Sequence, residues 1–188
     1  DIKLCTITGR AGSGKTFLTL LTAISGLQSN KFKRIVITRS LEPVGKSIGY
    51  LPGDMNEKLD PWIGSIVDNF KNHFGDLTYF HLMKEKGNIE IAPLAFIRGR
   101  TFNDAFIIVD EAQNSTIHEL KTIVTRVGEG SKIVLMGDTD QIDTQYIDTY
   151  SNGLTIILEK LKNEVITGHV TLTKGERSEL ATLASKLI

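Results

Sequence analysis

The chain has 188 residues, with 22 basic and 22 acidic side chains and one cysteine. A chain of this length can bury roughly 70% of the surface that its unfolded form exposes, so we take residues 1–188 as a single domain. The lone Cys5 excludes an internal disulfide and a four-cysteine zinc site, and a net charge of zero excludes a general electrostatic attraction to nucleic acid. No apolar run approaches the roughly 20 residues that span a bilayer, so we expect a cytoplasmic protein without a membrane partner.

Short apolar runs alternate along the chain with amphipathic segments, which is typical of a mostly parallel sheet with helices on both faces. The predicted strands are KLCTIT (3–8), RIVITR (34–39), IEIA (89–92), FIIVD (106–110), KIVLMG (132–137) and HVTL (169–172). Most of them are apolar without strict alternation, as strands buried on both faces should be. The predicted fold class is therefore α/β, a three-layer αβα sandwich.

Helices are predicted where apolar residues recur at helical spacing. The three stripes that predict helices are Phe17, Leu20, Leu21, Ile24 and Leu27; Ile63, Ile66, Val67, Phe70 and Phe74; and Ile117, Leu120, Ile123, Val124 and Val127. A last stripe lies near the carboxyl end, at Leu180, Leu183 and Leu187. The third helix should end at Gly128, and its candidate caps are Asn114, Ser115 and Thr116. Loops are predicted over 128–131 and 140–153.

The stretch GRAGSGKT fits the P-loop pattern G-x-x-x-x-G-K-[ST] and lies between a predicted strand and a predicted helix. Its glycines let the backbone curl so that successive N–H groups face a phosphate chain at the start of the helix. Lys15 is expected to reach the β- and γ-phosphates of ATP, and Thr16 to offer its hydroxyl to Mg²⁺. The predicted nucleotide-binding residues are Gly9, Arg10, Ala11, Gly12, Ser13, Gly14, Lys15 and Thr16.

The segment FIIVDEAQN ends a predicted strand in two adjacent carboxylates, at the edge of the sheet where ligands of open α/β folds bind. Asp110 is expected to hold the Mg²⁺ shell, and Glu111 to accept a proton from the attacking water. Alone, this pair could equally be a solvated acidic turn. A P-loop upstream favours the catalytic interpretation, because the two features complete each other.

The stretch GDTDQID follows the predicted strand KIVLM and carries three aspartates. A calcium loop is excluded, because an isoleucine stands where the next ligand should be and the loop glycine and distal glutamate are missing. The strand should lie beside those that carry the P-loop and DEAQ. The combination of P-loop, D-E-A-Q and G-D-x-x-Q resembles the first motor domain of superfamily 1 helicases, which implies that Gln141 senses the γ-phosphate. Asp138 and Asp143 are expected to brace the loop, and Asp140 to be solvated.

Longer stretches resemble the PhoH-like ATPases over nearly the whole chain. They are RIVITRS, VGKSIGYLPGDMNEKLDPWIGSIVDNF, IEIAPLAFIRGRTFNDAFIIVDEAQN, LKTIVTRVGEGSKIVLMGDTDQID and SNGLTIILEKLK. The tail GHVTLTKGERSELATLASKLI is most similar to the branch in which an amino-terminal PIN nuclease domain precedes the ATPase. The resemblance implies a RecA-like P-loop NTPase fold and an ATPase linked to RNA unwinding or processing, assembled as a ring that we expect to be a hexamer.

Two departures from the family pattern affect loops. Ser40 follows Arg39 where the family usually has proline, and Thr144 and Gln145 stand where it often has Asn-Pro. Both changes loosen loop geometry and leave the ATP-hydrolysing groups in place. The chain begins at Asp1, two residues before a strand, which suggests a piece of a longer chain; no PIN-type acidic cluster precedes the P-loop, so nuclease activity is not assigned to these residues.

A superfamily 1 motor closes ATP between two such domains, and this chain has room for one. The resemblance therefore implies that a neighbouring subunit supplies an arginine in trans, with Arg177 as the first candidate and Arg98 and Arg100 next. Each of them could instead form an ion pair with a nearby acid. The candidate contacts for RNA or single-stranded DNA are Thr38, Arg39, Arg98 and Arg100, then Lys46, with Trp62 or Tyr50 as stacking platforms. Packing is the alternative for Trp62, and His169 is expected to be structural.

Two other functions remain open. A nucleoside kinase of the thymidine kinase type also combines a P-loop with D-E-A-Q, but it normally has a four-cysteine zinc site and lacks G-D-x-x-Q. A nucleotide-gated assembly module would bind ATP and hydrolyse little of it, which the presence of Glu111 and Gln141 argues against.

Overall fold

The computed structural model describes residues 2–40, 55–97, 99–144 and 147–175, with the backbone alone described at 55–63, 65 and 95. The strands are β1 (Leu4–Gly9), β2 (Arg34–Thr38), β3 (Ile89–Ile91), β4 (Ala105–Val109), β5 (Lys132–Gly137) and β6 (Thr167–Leu172). They form one sheet in the order β3-β2-β4-β5-β1-β6, and every neighbouring pair is parallel. All six predicted strands are confirmed to within two residues at either end, and β5 lies between β1 and β4 as expected.

Within the described ranges, five α-helices cover the two faces of the sheet. They are α1 (Lys15–Gln28), α2 (Met55–Phe74), α3 (Thr78–Glu85), α4 (Ile117–Val124) and α5 (Gly153–Leu161). Short 3₁₀ turns follow β3 and β4, at Leu94–Ile97 and Ala112–Asn114. The helices α1, α2 and α4 were predicted. In the part of the chain that the structure describes, no helix is both long and apolar enough to cross a membrane.

The helix α4 begins at a capping box. The Thr116 hydroxyl accepts a hydrogen bond from the Glu119 amide, and the Glu119 carboxylate accepts one from the Thr116 amide. Thr116 is thus the cap among the three predicted candidates. The helix ends at Val124 and not at Gly128, because Val127 leaves the helix and forms a bridge with Phe102.

Three other boundaries differ from the prediction. Helix α2 begins at Met55, eight residues before Ile63, the first residue of the predicted stripe. Helix α3 was not predicted, because it has eight residues and buries only Phe80 and Met83, too few to establish a period. The predicted loop 140–153 ends early, at the residue that caps α5.

Two apolar clusters lie on opposite faces of the sheet. Alternate residues of β4 and β5 join different clusters: Ile107 packs with the α4 and α5 side, and Ile108 with the α1, α2 and α3 side. Every residue of β4 is buried, which explains its continuous apolar run. Because the strands are parallel, the segments that follow β1, β4 and β5 all leave the sheet at its carboxyl edge.

Candidate nucleotide-binding site

The P-loop connects β1 to α1 and has the backbone that a phosphate cradle needs. Gly12 and Gly14 have φ angles of 80° and 83°, which side chains rarely adopt. A Cβ added at Gly14 would meet no described atom within 4 Å, so the cradle is open there. The Ser13 hydroxyl is buried and has no hydrogen-bond partner among the described residues. An open cradle with an unpartnered polar atom fits a bound phosphate chain.

Lys15, the first residue of α1, holds its ammonium group against the P-loop. Its Nζ atom donates to the carbonyl oxygens of Gly9 at 2.5 Å and Arg10 at 3.1 Å. The ammonium charge also reaches Asp110, whose ionised form it favours. Thr16 is the next residue of α1. A lysine placed between the cradle and an acidic group can transfer its hydrogen bonds to phosphate oxygens without unfolding the loop.

Asp110 lies at the end of β4 and is almost completely buried, with 5% of its surface exposed. Burial raises the pKa of its carboxyl from the usual 3.8 to about 6, and the charge of Glu111 adds to the increase. The hydrogen bond from the Glu111 amide and the charges of Arg39 and Lys15 act in the opposite direction. A buried carboxylate with incomplete compensation is a favourable place for a cation.

Glu111 adopts a backbone conformation that is unusual for a glutamate. Its φ angle is 48° and its ψ angle 40°, in the left-handed region. Such a conformation costs on the order of 1 kcal/mol and persists where surrounding contacts enforce it. Here the Gln113 side chain donates from Nε2 to the Glu111 carboxylate at 2.7 Å. The strained backbone and this hydrogen bond together fix the direction of the candidate base.

Gln113 connects the DEAQ segment to the loop after β5. It is completely buried, and its Nε2 atom donates to the Gln141 carbonyl at 2.9 Å as well as to Glu111. Its Oε1 atom accepts from the Asp138 amide at 3.2 Å. Gln113 had no predicted role of its own, although a polar residue two positions after the acidic pair at the end of a buried strand was a signal for one.

Asp138 joins the same loop to the P-loop. Its Oδ2 atom accepts from the Ala11 amide at 2.8 Å and its Oδ1 atom from the Asp140 amide at 3.1 Å. The predicted bracing role of Asp138 agrees with the second bond, whereas the contact with Ala11 was not predicted. Asp143 is exposed. Its backbone amide donates to Asn114 Oδ1 at 2.9 Å, and this bond anchors the end of the loop. The candidate sensor Gln141 has its main chain anchored within this loop and its side chain exposed.

The residues predicted to contact nucleic acid lie in different environments. Thr38 is completely buried, which does not favour the predicted contact between its side chain and nucleic acid. Arg39 is half-buried and lies close enough to Asp110 to favour its ionised form. Arg100 donates through both guanidinium nitrogens to Glu90, and its guanidinium lies 4.9 Å from the centre of the Phe102 ring. These hydrogen bonds raise the pKa of Arg100 and lower that of Glu90, so Arg100 occupies the ion pair that was its alternative.

Several predicted residues lie outside the described part of the chain: Lys46, Tyr50, Arg98, Gln145, Arg177, Leu180, Leu183 and Leu187, together with the side chain of Trp62. His169 lies on β6, where its Nδ1 is 2.8 Å from the Thr6 hydroxyl and its Nε2 is 2.9 Å from the Thr171 hydroxyl. Those contacts agree with a structural role for His169.

A parallel sheet with a P-loop between its first strand and helix, and with DEAQ and GDTDQ at the same edge, defines a nucleotide-binding ATPase domain of the P-loop type. The sequence model of the family described as PhoH-like protein matches residues 1–187, and the chain belongs to that family.

Curated relatives agree with this assignment. Protein PhoH2 of Bacillus subtilis (strain 168) is 50% identical over 196 residues, which cover all of this chain and 43% of that protein. Protein PhoH2 of Thermobispora bispora is 36% identical, with 100% of this chain and 43% of that protein covered. The chain thus spans less than half the length of these relatives. A crystal structure of the Pyrococcus furiosus Hef helicase domain overlaps at a TM-score of 0.48 and 13% identity, covering 90% of this chain and 35% of that one, a likeness too low to support an argument.

Proposed function

We propose that this domain hydrolyses ATP with the help of Mg²⁺ and that hydrolysis drives the remodelling of RNA or another single-stranded nucleic acid. The observation that carries the proposal is the pattern of hydrogen bonds around Gln113. Its side chain contacts the candidate base Glu111, the main chain of the candidate sensor Gln141, and the amide of Asp138, which in turn contacts the P-loop. A binding module without turnover has no need to orient a carboxylate beside its phosphate cradle.

Nucleotide binding would depend on the P-loop. Its main-chain amides and the Lys15 ammonium would hold the phosphate chain, with the Ser13 hydroxyl available as a further contact. Thr16 and Asp110 are the residues suited to the metal, through a hydroxyl and a buried carboxylate. When bound, Mg²⁺ would neutralise charge on the phosphates. Among the described residues no group of three or more His, Cys, Asp or Glu side chains could hold a metal, and a metal shared with phosphates requires none.

Hydrolysis would depend on Glu111 and Gln141. The Gln113 amide occupies one oxygen of the Glu111 carboxylate and orients the other to accept a proton from water. The exposed Gln141 side chain would contact the γ-phosphate or the attacking water, because its own main chain is already anchored. The residues thus divide the work into phosphate binding, proton acceptance and water positioning.

The domain would act in a ring, expected to be a hexamer, in which a neighbouring subunit completes each ATP site. Arg177 is the candidate arginine finger, and Arg100 is less suited because it is already paired with Glu90. Arg39 and Arg98 remain the candidate contacts for nucleic acid. A PIN nuclease domain upstream, as in the branch that the tail resembles, would place the motor beside an RNA-cleaving activity.

The first test compares phosphate release by the wild-type chain with release by Glu111→Gln, in the presence and absence of single-stranded RNA. We expect the substitution to lower kcat by about 10² to 10⁴, since it removes the proton acceptor, while ATP binding persists. Glu129→Gln is the matched control, because Glu129 is exposed in the loop before β5. Transfer of phosphate to an added nucleoside would favour a kinase, and equally slow turnover by both proteins would favour a gating module.

The second test asks whether Arg177 acts in trans. Arg177→Ala should lower turnover by about 10³ or more with ATP binding near normal. Mixing Arg177→Ala with Glu111→Gln subunits should restore part of the activity, because some interfaces then combine an intact base with an intact arginine. The mass of the assembly, measured in the presence of ATP, reports how many subunits the ring contains. Unaltered turnover in Arg177→Ala, or no recovery on mixing, would contradict the trans arrangement.

A further inference from the structure

Asp138 is a buried carboxylate with both oxygens engaged by main-chain amides. Only 5% of the residue is exposed. Oδ2 accepts from Ala11 in the P-loop at 2.8 Å, and Oδ1 accepts from Asp140 in its own loop at 3.1 Å. Charge-assisted hydrogen bonds of this kind are about twice as strong as neutral ones. Because its two oxygens accept from different loops, Asp138 is suited to connect the two segments.

The contact with Ala11 joins two segments that lie 127 residues apart in the chain. It forms because β1 and β5 are neighbours, with Thr8 paired to Gly137 at the ends of the strands. Ala11 and Asp138 lie within two residues of the ends of these strands, where the two loops are close together. The bond fixes the early part of the P-loop relative to the loop that carries the candidate sensor.

The other contacts of Asp138 lead to Gln141. The Asp138 carbonyl accepts from the Gln141 amide at 3.0 Å. The Asp138 amide donates to Gln113, whose Nε2 atom donates to the Gln141 carbonyl. Both main-chain groups of Gln141 are thus held by Asp138 or by its direct partner. A shift of the Asp138 carboxylate would move the backbone from which the Gln141 side chain extends.

We propose that Asp138 is a positioning residue that couples occupancy of the P-loop by a nucleoside triphosphate to the placement of Gln141. The proposal rests on the proposed function as an ATPase. A phosphate chain that draws the P-loop amides towards itself would move Ala11, because the next residue, Gly12, has the φ of 80° that leaves this backbone free to adjust. When the Ala11 amide moves, the Asp138 carboxylate moves with it. The loop over residues 138–143, which carries Gln141, then shifts as well.

Three variants separate this role from a merely local one. Asp138→Ala removes both acceptors, and Asp138→Asn retains one oxygen and therefore one of the two bonds. Asp140→Asn makes the same change of charge in the same loop on an exposed side chain, so it is the matched control. If Asp138→Ala fails to fold, Asp138→Asn carries the test.

The first measurement is amide hydrogen exchange over residues 9–15 in the nucleotide-free chain. We expect exchange about 10-fold faster in Asp138→Ala, because a charge-assisted hydrogen bond to Ala11 is lost, and an intermediate rate in Asp138→Asn. Asp140→Asn should match the wild type. Unchanged exchange in Asp138→Ala would overturn the contact between the two loops, and this result does not depend on any ATPase activity.

The second measurement compares a non-hydrolysable ATP analogue with ADP, each with Mg²⁺, by exchange over residues 137–144. In the wild type the analogue should slow exchange there more than ADP does. Asp138→Ala should bind the analogue with a Kd within about threefold of the wild type and lose that difference. A difference that survives, or loss of binding itself, would overturn the coupling. If the wild type binds no analogue, the proposed function is wrong. Amide exchange of the nucleotide-free chain over residues 9–15 still tests the contact between Asp138 and Ala11.

The third measurement is the rate of ATP hydrolysis. Asp138→Ala should lower kcat about 10-fold and change KM less than about threefold, because the cradle remains while the sensor is misplaced. Combined with Gln141→Ala, it should add no further loss, since both substitutions remove the same step. Additive losses would show that Asp138 does not act through Gln141 and would overturn the proposal.

Discussion

At the scale of single residues, Asp110 combines a useful position with an energetic penalty. Its pKa in the folded chain is about 6, against the usual 3.8, so the native state holds the proton more tightly than the unfolded state does. The free energy of unfolding contributed by this group therefore falls as the pH rises from 3.8 to about 6. Above that window the buried charge costs on the order of 3 kcal/mol. A cation bound beside it would offset this penalty.

We therefore predict that Asp110→Asn stabilises the nucleotide-free chain at neutral pH and abolishes Mg²⁺-dependent hydrolysis. The gain should be about 1–3 kcal/mol, or about 2–4 °C in Tm for each kcal/mol, because the buried charge is removed. The gain should vanish as the pH is lowered to about 4, where Asp110 is already protonated. Thermal unfolding at several pH values measures both effects. A Tm that does not rise at neutral pH would contradict the assigned cause of the shift.

Two residues that differ from the family pattern, Ser40 and Thr144, form side-chain hydrogen bonds in this structure. Ser40 stands where the resemblance leads one to expect proline, and its hydroxyl donates to the Glu119 carboxylate at 3.2 Å. This bond ties the end of β2 to the first turn of α4. Thr144, in the other departure, donates from its hydroxyl to the Asn114 carbonyl at 3.1 Å. Ser40, in the proline position of the first departure, and Thr144, in the asparagine position of the second, thus each hold their segment through a side-chain hydrogen bond.

At the scale of elements, the start of α5 packs against the start of α4, where the Gly153 amide donates to the Ser115 carbonyl at 2.8 Å. Asn152 is completely buried; its Oδ1 accepts from the Thr155 amide at 2.8 Å, and its Nδ2 donates to the carbonyls of Asp148 at 3.0 Å and Thr149 at 2.8 Å. A Cβ added at Gly153 would lie 2.7 Å from the Thr116 carbonyl oxygen, so the backbone of α5 approaches that of α4 closely. Asn152 therefore orders the loop before α5, and it places Gly153 against the start of α4.

We predict that Asn152→Ala lowers the free energy of unfolding by about 1–3 kcal/mol, because it removes a helix cap and the side-chain donor to the carbonyls of Asp148 and Thr149. Chemical denaturation measures the change. Asn163→Ala is the control, since Asn163 is exposed after α5, and it should differ from the wild type by less than about 0.5 kcal/mol. Equal stability of the two variants would mean that α5 is held by its apolar face alone.

At the scale of the whole molecule, the P-loop, the DEAQ segment and the loop after β5 are joined by a few partly buried hydrogen bonds at one edge of the sheet. A ligand that binds this edge in the folded chain stabilises every element attached to it, because the unfolded chain has no such site. Nucleotide binding should therefore be visible as global stabilisation and not as local ordering alone.

We predict that an ATP analogue with Mg²⁺, at about 100 times its Kd, adds about 2.7 kcal/mol to the free energy of unfolding. In a chain of this size that is a rise of about 5–10 °C in Tm. Lys15→Ala should remove most of the rise, because it removes the ammonium group that would bind the phosphates. It should leave the unliganded chain folded, because the hydrogen bonds from that group to Gly9 and Arg10 lie within the P-loop. The same rise in Lys15→Ala would place the nucleotide elsewhere.

The sequence by itself determined the parts of this protein whose physics is local. The P-loop carries its glycines, lysine and hydroxyl within eight consecutive residues, so its chemistry can be read without knowing what lies nearby. The six strands are recognisable because burial on both faces requires continuous apolar runs. The two acids after one of those runs were enough to predict Asp110 and Glu111 as candidates at the edge of the sheet, and the resemblance to helicase motor domains added Gln141.

Only the tertiary structure decided how those candidates are held. Asp138 contacts Ala11 because β5 lies beside β1, and Gln113 contacts Gln141 because β5 also lies beside β4. Arg100 is paired with Glu90, ten residues earlier, and Thr38 is buried although it directly precedes a half-exposed arginine. Hydrophobic periodicity reports which side of an element is buried. It does not report which element covers that side, and hydrogen bonds between loops depend on that neighbour.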